Sequence, residues 1–190
     1  MSVGVVLDTC VLFPASIRDT LLRAAAAKLY RLRLTDDILE ELRRNLVNKH
    51  SMNEIKAQKL VSTIKMKFPE SLMKKHESLI MSMPVNEKDK HVLAVAVASE
   101  AEIIVTQNLR DFPLYLLEPF GVKAQPPDEF LVSLFHSNSM RMVQIIIEQA
   151  EQLRNPTKTV SEVLDTLVQH APRFASLVRQ ELEGENIIHL

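Results

Sequence analysis

The chain has 190 residues, 46% of them hydrophobic, a formal net charge of −1 and a single cysteine, Cys10. That length can bury a core of its own, its longest apolar stretches are too short to span a bilayer, and one cysteine excludes an intramolecular disulfide or a multi-cysteine zinc site. Met1-Ser2-Val3-Gly4 has no charged leader region or cleavage site, so a soluble, cytoplasmic protein is the expectation.

In chain order, Val3-Gly4-Val5-Val6-Leu7 runs straight into Asp8. A continuous apolar run of this kind reads as a strand buried on both faces, as in a parallel sheet. Residues 14–29, rich in Ala and Leu, predict a helix opening near Pro14 or Ser16. A short strand over 31–34 follows. Thr35-Asp36-Asp37 offers N-caps, with Asp37 and Glu40 spaced as a capping-box variant, for a helix reaching about Asn48. Another helix covers 53–67 and stops near Pro69, whereas 71–82 reads equally as a helix or turn leading into a strand-like approach to Pro84. A helix over 87–99 feeds a strand over 102–106, which runs into Gln107, Asn108 and Asp111. Asp111-Phe112-Pro113 places proline at a first helical position, and 121–124 forms a last, edge strand.

This alternation predicts a parallel sheet with right-handed crossovers. Beyond Pro127 the pattern changes to four helices, 127–136, 139–154, 159–169 and 172–183, with no strands between them. Thr159 and Glu162 form a capping box, and Asn155-Pro156 marks a break. The expected organisation is an α/β domain over 1–125 and a helical extension over 126–190, packed on that domain or on a second subunit.

Charge is unevenly spread. Residues 1–100 carry 16 Lys and Arg against 12 acids, and residues 101–190 carry 7 against 12. Arg31, Arg33, Arg43, Arg44, Lys49 and the lysines from Lys56 to Lys75 either line a phosphate-tracking face or are solvated helix faces. Three glycines, Gly4, Gly121 and Gly184, make neither a phosphate-binding loop nor a dinucleotide fingerprint. The six histidines lack metal-ligand spacing, and His91 reads as an ordinary helix histidine close to Asp89.

What remains is a set of carboxylates. Asp8 ends a buried strand, where a charge must be paired or metal-bound. Glu41, Asp89 and Asp111 fall near helix N-termini, and in a parallel α/β sheet those ends lie at the carboxyl edge, where ligands bind. Two carboxylates about 5 Å apart repel by roughly 3 kcal/mol at an effective dielectric near 20. Convergence of all four therefore predicts Mg²⁺ or Mn²⁺, which favour oxygen ligands and promote phosphodiester hydrolysis. Singly, each acid has a plainer role open to it: Asp89 and Asp111 as helix caps, Glu41 as a solvated neighbour of Arg44.

Val5-Val6-Leu7-Asp8-Thr9-Cys10-Val11-Leu12, Ile38-Leu39-Glu40-Glu41-Leu42, Lys88-Asp89-Lys90-His91-Val92-Leu93-Ala94 and Ile104-Val105-Thr106-Gln107-Asn108-Leu109-Arg110-Asp111-Phe112-Pro113 together resemble a PIN-domain nuclease. The similarity is greatest to the VapC-type toxin ribonucleases of prokaryotic toxin–antitoxin systems, including a branch with a helical C-terminal extension. The resemblance implies a three-layer α/β/α fold with a central parallel sheet. It also implies hydrolysis of RNA phosphodiesters with Mg²⁺ or Mn²⁺ held by Asp8, Glu41, Asp89 and Asp111, with Thr9 and Asn108 in support. A cognate antitoxin and a homodimer are the implied partners, besides RNA. Sequence-specific readers of RNA usually target loops, so a tRNA or rRNA stem-loop suits such an enzyme.

The chain departs from the family at Asn108, where many relatives carry Asp, at Asn86, often acidic, and at Cys10, often a small polar residue. Glu40 and Glu41 are neighbours, and the Glu-Leu-Arg-Arg pattern favours Glu41. Two other readings stay open. One is a degenerate PIN-like module that binds RNA or protein without cutting, supported by Asn108 and Asn86. The other is an aspartyl-phosphate enzyme with Asp8 as nucleophile, against which stands Cys10, where a second acid would be needed.

Overall fold

Strand β1 (Gly4–Leu7) is buried along its whole length because it is an interior strand of the sheet. The structure, a computed structural model, describes residues 2–188. Helix α1 (Thr9–Leu12), a single turn that the strand-to-Pro14 reading lacks, follows Asp8 directly. Helix α2 (Ala15–Ala26) then leads to β2 (Arg31–Arg33), with β3 (Ile103–Val105) and β4 (Lys123–Gln125) much further on. All pairings are parallel, in the order β2-β1-β3-β4. The expected central parallel sheet with flanking helices is therefore present.

Register decides what stands at the carboxyl edge. Leu7 pairs with Val105, so the next residues, Asp8 and Thr106, emerge side by side. The Asp8 N–H donates to Val105 O at 3.1 Å, and the Thr106 N–H donates to Gln125 O at 2.9 Å, which extends the ladder one step into the loops.

The helices of this part follow local rules. α3 (Asp36–His50) is capped by Thr35, whose hydroxyl accepts the Ile38 N–H at 3.3 Å. Thr35 has the extended backbone a cap requires, whereas Asp37 is already helical, so the capping-box variant at Asp37 and Glu40 does not form. α4 (Glu54–Lys67) is capped by Asn53. The ambiguous stretch contains a parallel bridge from Leu34 to Leu72 and a short α5 (Glu77–Ser82). A 3₁₀ turn over Glu87–Asp89 precedes α6 (Lys90–Ala98), whose apolar face packs on β1 and β3. α7 (Leu114–Leu117) starts after Pro113, which is its cap with an extended backbone rather than its first residue. Gly121, at φ +67°, turns the chain into β4 in a conformation that side-chain-bearing residues rarely adopt.

Four further helices are α8 (Pro127–Ser137), α9 (Ser139–Gln152), α10 (Val160–Leu167) and α11 (Pro172–Ile188). The capping box at Thr159 and Glu162 is formed as expected. Two compact units result, one of residues 1–13 and 30–125, the other of 14–29 and 126–190. A single cut at 125 would leave α2 with the sheet, but α2 packs on α9 and α10 and belongs to the second unit. There Gln149, buried, accepts the Thr20 hydroxyl at 2.7 Å and donates to Ser16 O at 3.2 Å. Asp128 accepts the Phe174 N–H at 2.9 Å and so ties the start of α8 to α11. No single helix among the described residues is long and apolar enough to cross a membrane.

Candidate active site

Asp8 stands at the carboxyl end of β1 and is 6% exposed. Although it occupies the cap position of α1, its side chain makes no capping bond. Its Oδ2 accepts the Thr106 hydroxyl at 2.7 Å and the Cys10 thiol at 3.1 Å. Thr106, fully buried, also accepts the Asn108 N–H at 3.0 Å, and the Cys10 sulfur accepts the Gln107 N–H at 3.2 Å. The loop after β3 is thereby fastened to the Asp8 carboxylate. Burial, followed by the nearby Asp8 charge, pushes the Cys10 thiol up to about 12. The thiol therefore stays protonated and serves as a donor.

Glu41 lies in the second turn of α3, where its Oε2 accepts the Thr9 hydroxyl at 3.1 Å. The His91 Nε2 atom is 3.4 Å from the same oxygen. His91 foremost, and Thr9 after it, hold the Glu41 carboxyl below the usual range against the opposing effect of burial. Glu41 is thus fixed beside Asp8 through Thr9 and beside the start of α6 through His91, and is not simply a solvated partner of Arg44. Glu40 instead pairs with Arg43, which separates the roles of the two neighbouring acids.

Asp89 ends the 3₁₀ turn and is 8% exposed. It does not cap α6: its side chain makes no capping bond, and its Oδ2 is buried without a hydrogen bond. Burial, with Asp111 and Asp8 adding to it and Lys88 opposing, raises its pKa to about 6. Asp111 and Asp8 therefore each lie near enough to Asp89 to act on its charge. Asp111 is occupied on both oxygens, by Asn86 Nδ2 at 3.2 Å and by Lys88 Nζ at 2.8 Å. Asn108 reaches the cluster through its backbone N–H on Thr106.

A groove of about 570 Å³ is lined by Glu41, alone of the four acids, together with Arg44, Asn45, Lys75, Lys88 and His91 among others. The long basic face that the sequence allowed is partly consumed by ion pairs: Arg43 with Glu40 and Glu54, Lys65 with Asp36, Lys75 with Asp37. Arg44 and Lys88 border the groove as cations, Lys88 itself paired with Asp111. Thr106, His91 and Lys88 are the residues that sequence reasoning did not place in the site. A polar residue ending a buried strand is the one signal that pointed to Thr106.

As placed, no group of three or more His, Cys, Asp or Glu side chains among the described residues is gathered tightly enough to hold a metal ion. Side-chain partners occupy Glu41 and Asp111 instead. The donor set is nevertheless all oxygen, and Asp89 Oδ2 is a buried anionic acceptor without a hydrogen bond, approached only at 3.7 Å by Lys88. Both features fit a hard divalent cation such as Mg²⁺ or Mn²⁺.

The family described as "PIN domain" matches residues 4–110, which include Asp8, Glu41 and Asp89 and end one residue before Asp111. The family described as "VapC50 C-terminal domain" matches residues 127–180. "Putative ribonuclease VapC50" of Mycobacterium tuberculosis is 36% identical over 105 residues, which is 55% of this chain and 62% of that protein. The matched stretch thus spans less than two thirds of that relative. No solved structure matches. With the parallel sheet in place and more than half of the chain matched by one family, the chain belongs to the PIN-domain family.

Proposed function

We propose that the chain is a divalent-metal-dependent endoribonuclease, the toxin of a type II toxin–antitoxin pair, acting in the cytoplasm on structured RNA. The observation that carries this reading is the buried Asp89 oxygen, which lacks a hydrogen bond and feels the charges of Asp8 and Asp111. Similarity to a VapC ribonuclease and to the C-terminal domain of that group supports the toxin assignment. A cognate antitoxin and a second copy of the chain are the proposed protein partners. The nuclease region is taken as 1–125 and the extension as 126–190, with α2 folded among the helices of the extension.

In this reading Asp8, Glu41 and Asp89 hold Mg²⁺ or Mn²⁺, and Asp111 joins them. When bound, such an ion neutralises phosphoryl charge and activates water for in-line attack. The chain's own residues prepare the site. Thr106 and Cys10 fix the Asp8 carboxylate in one orientation, and Thr9 does the same for Glu41. Asp89 is mostly ionised at pH 7, one unit above its pKa of about 6. Arg44 and Lys88 offer positive charge along the groove to the phosphate backbone. With 5% aromatics and no tryptophan, stacking platforms are scarce and backbone contacts carry most of the binding.

The test is incubation of small cellular RNA with the purified, antitoxin-free chain. Discrete products are expected with Mg²⁺ or Mn²⁺ and none with EDTA. Intact RNA under every metal, from a folded protein, contradicts the proposal. One observation favours a second reading, a PIN-like module that binds without cutting: both Asp111 oxygens are already occupied, by Asn86 and Lys88. RNA that is retained but never cut would establish that alternative.

A further inference from the structure

Asp89 and Asp111 already share a cation of the chain's own. Lys88 Nζ is 2.8 Å from Asp111 Oδ2 and 3.7 Å from Asp89 Oδ2. Among the described residues, no other basic side chain is within ion-pair distance of either acid. Neighbouring cations are engaged elsewhere, Lys90 with Glu87 at 2.8 Å and Lys75 with Asp37 at 3.3 Å. Local backbone produces this placement: the 3₁₀ turn over Glu87–Asp89 sets Lys88 beside Asp89, and Asn86 Nδ2 draws Asp111 to the same spot.

We propose that Lys88 is an exchangeable counter-ion, whose ammonium holds Asp89 and Asp111 together in the metal-free chain and is displaced when a divalent ion takes those carboxylates. This rests on the reading of the acids as a metal site. The physical argument is competition for one pair of anions. Without any cation the two carboxylates repel each other. An ammonium relieves that repulsion, but it cannot stay on the same oxygens once a second positive charge arrives. The Lys88 side chain is 67% exposed and ends a flexible four-carbon stem, so it can swing away into water. Ion binding is then an exchange, and its apparent affinity is lowered by the pair that must break.

The test is Mn²⁺ binding to the full chain, followed by calorimetry at low ionic strength. Lys88→Met is expected to bind Mn²⁺ about three- to fivefold more tightly than wild type, the upper scale of an exposed ion pair lost as competitor. Lys88→Gln, which removes the same charge but keeps a polar end, should show the same gain. Lys65→Met removes a lysine from the Asp36 pair, which involves none of the four acids, and should leave affinity unchanged within about twofold. Raising the salt to about 0.5 M should narrow the difference, because screening weakens the lysine pair. Equal or weaker Mn²⁺ binding by both Lys88 variants overturns the exchange while leaving the metal site standing. Absence of Mn²⁺ binding in wild type and variants alike overturns the metal reading itself.

Discussion

Replacing Asp89 with asparagine is expected to abolish RNA cleavage and yet make the metal-free protein more stable at pH 8. The carboxylate is buried, its Oδ2 lacks a donor, and Asp8 and Asp111 add negative charge nearby. Its pKa is therefore raised from 3.8 to about 6. For an acid whose folded-state pKa is raised, the sign is fixed by linkage. Below the unfolded value the group is neutral in both states and has no effect. As pH rises from 3.8 through 6 the folded state must ionise it at a penalty, and that penalty is complete above this window. Its full size corresponds to about 3 kcal/mol, and solvent screening of a carboxylate this near the surface reduces it to about 1–2 kcal/mol. Asparagine never ionises, so in EDTA the Asp89→Asn variant should melt a few degrees above wild type at pH 8 and together with it at pH 3.5. Cleavage in Mg²⁺ should fall by about 10²–10³-fold, as for loss of a central electrostatic group. A variant that is inactive and less stable at pH 8 would show that Asp89 is structural.

Thr106→Val should damage both folding and activity, although valine matches threonine in shape. The hydroxyl is fully buried, donates to Asp8 Oδ2 at 2.7 Å and accepts the Asn108 N–H at 3.0 Å. Valine leaves the carboxylate with the weaker thiol of Cys10 and the Asn108 amide without this acceptor. Loss of a buried hydrogen bond to a charged group amounts to about 1.5–3 kcal/mol. Urea denaturation should register that loss. Cleavage should drop by about 10–100-fold because the Asp8 carboxylate is no longer held in one orientation. Thr106→Ser keeps the hydroxyl and should recover most of both. Full activity in Thr106→Val would contradict the role given to this network.

What the sequence disclosed follows from how local each feature is. Asp8 was legible because a carboxylate closing an uninterrupted apolar run is tolerated there only when it is paired or metal-bound. The Thr159–Glu162 box was legible because both partners lie within one helical turn. Thr106 was not, since a β-branched residue after Val105 reads equally well as strand. Its meaning depends on the Leu7–Val105 register, which joins segments almost a hundred residues apart. Lys88 was hidden for the same reason, being defined by Asp111, 23 positions later. The Ala- and Leu-rich composition of α2 announced a helix but not its cover, which proved to be α9 and α10. Local propensity also failed to choose among Thr35, Asp36 and Asp37 as the cap of α3. Backbone conformation made that choice in favour of Thr35.

Asp8, Glu41, Asp89 and Asp111 are proposed to form one metal site. Anomalous diffraction from crystals of the chain grown with Mn²⁺ tests it most directly. A Mn²⁺ peak is expected in contact with the Asp8 and Asp89 carboxylates, with Lys88 moved off Asp111. Crystals that hold Mn²⁺ elsewhere, or none while Lys88 stays on Asp111, would contradict it.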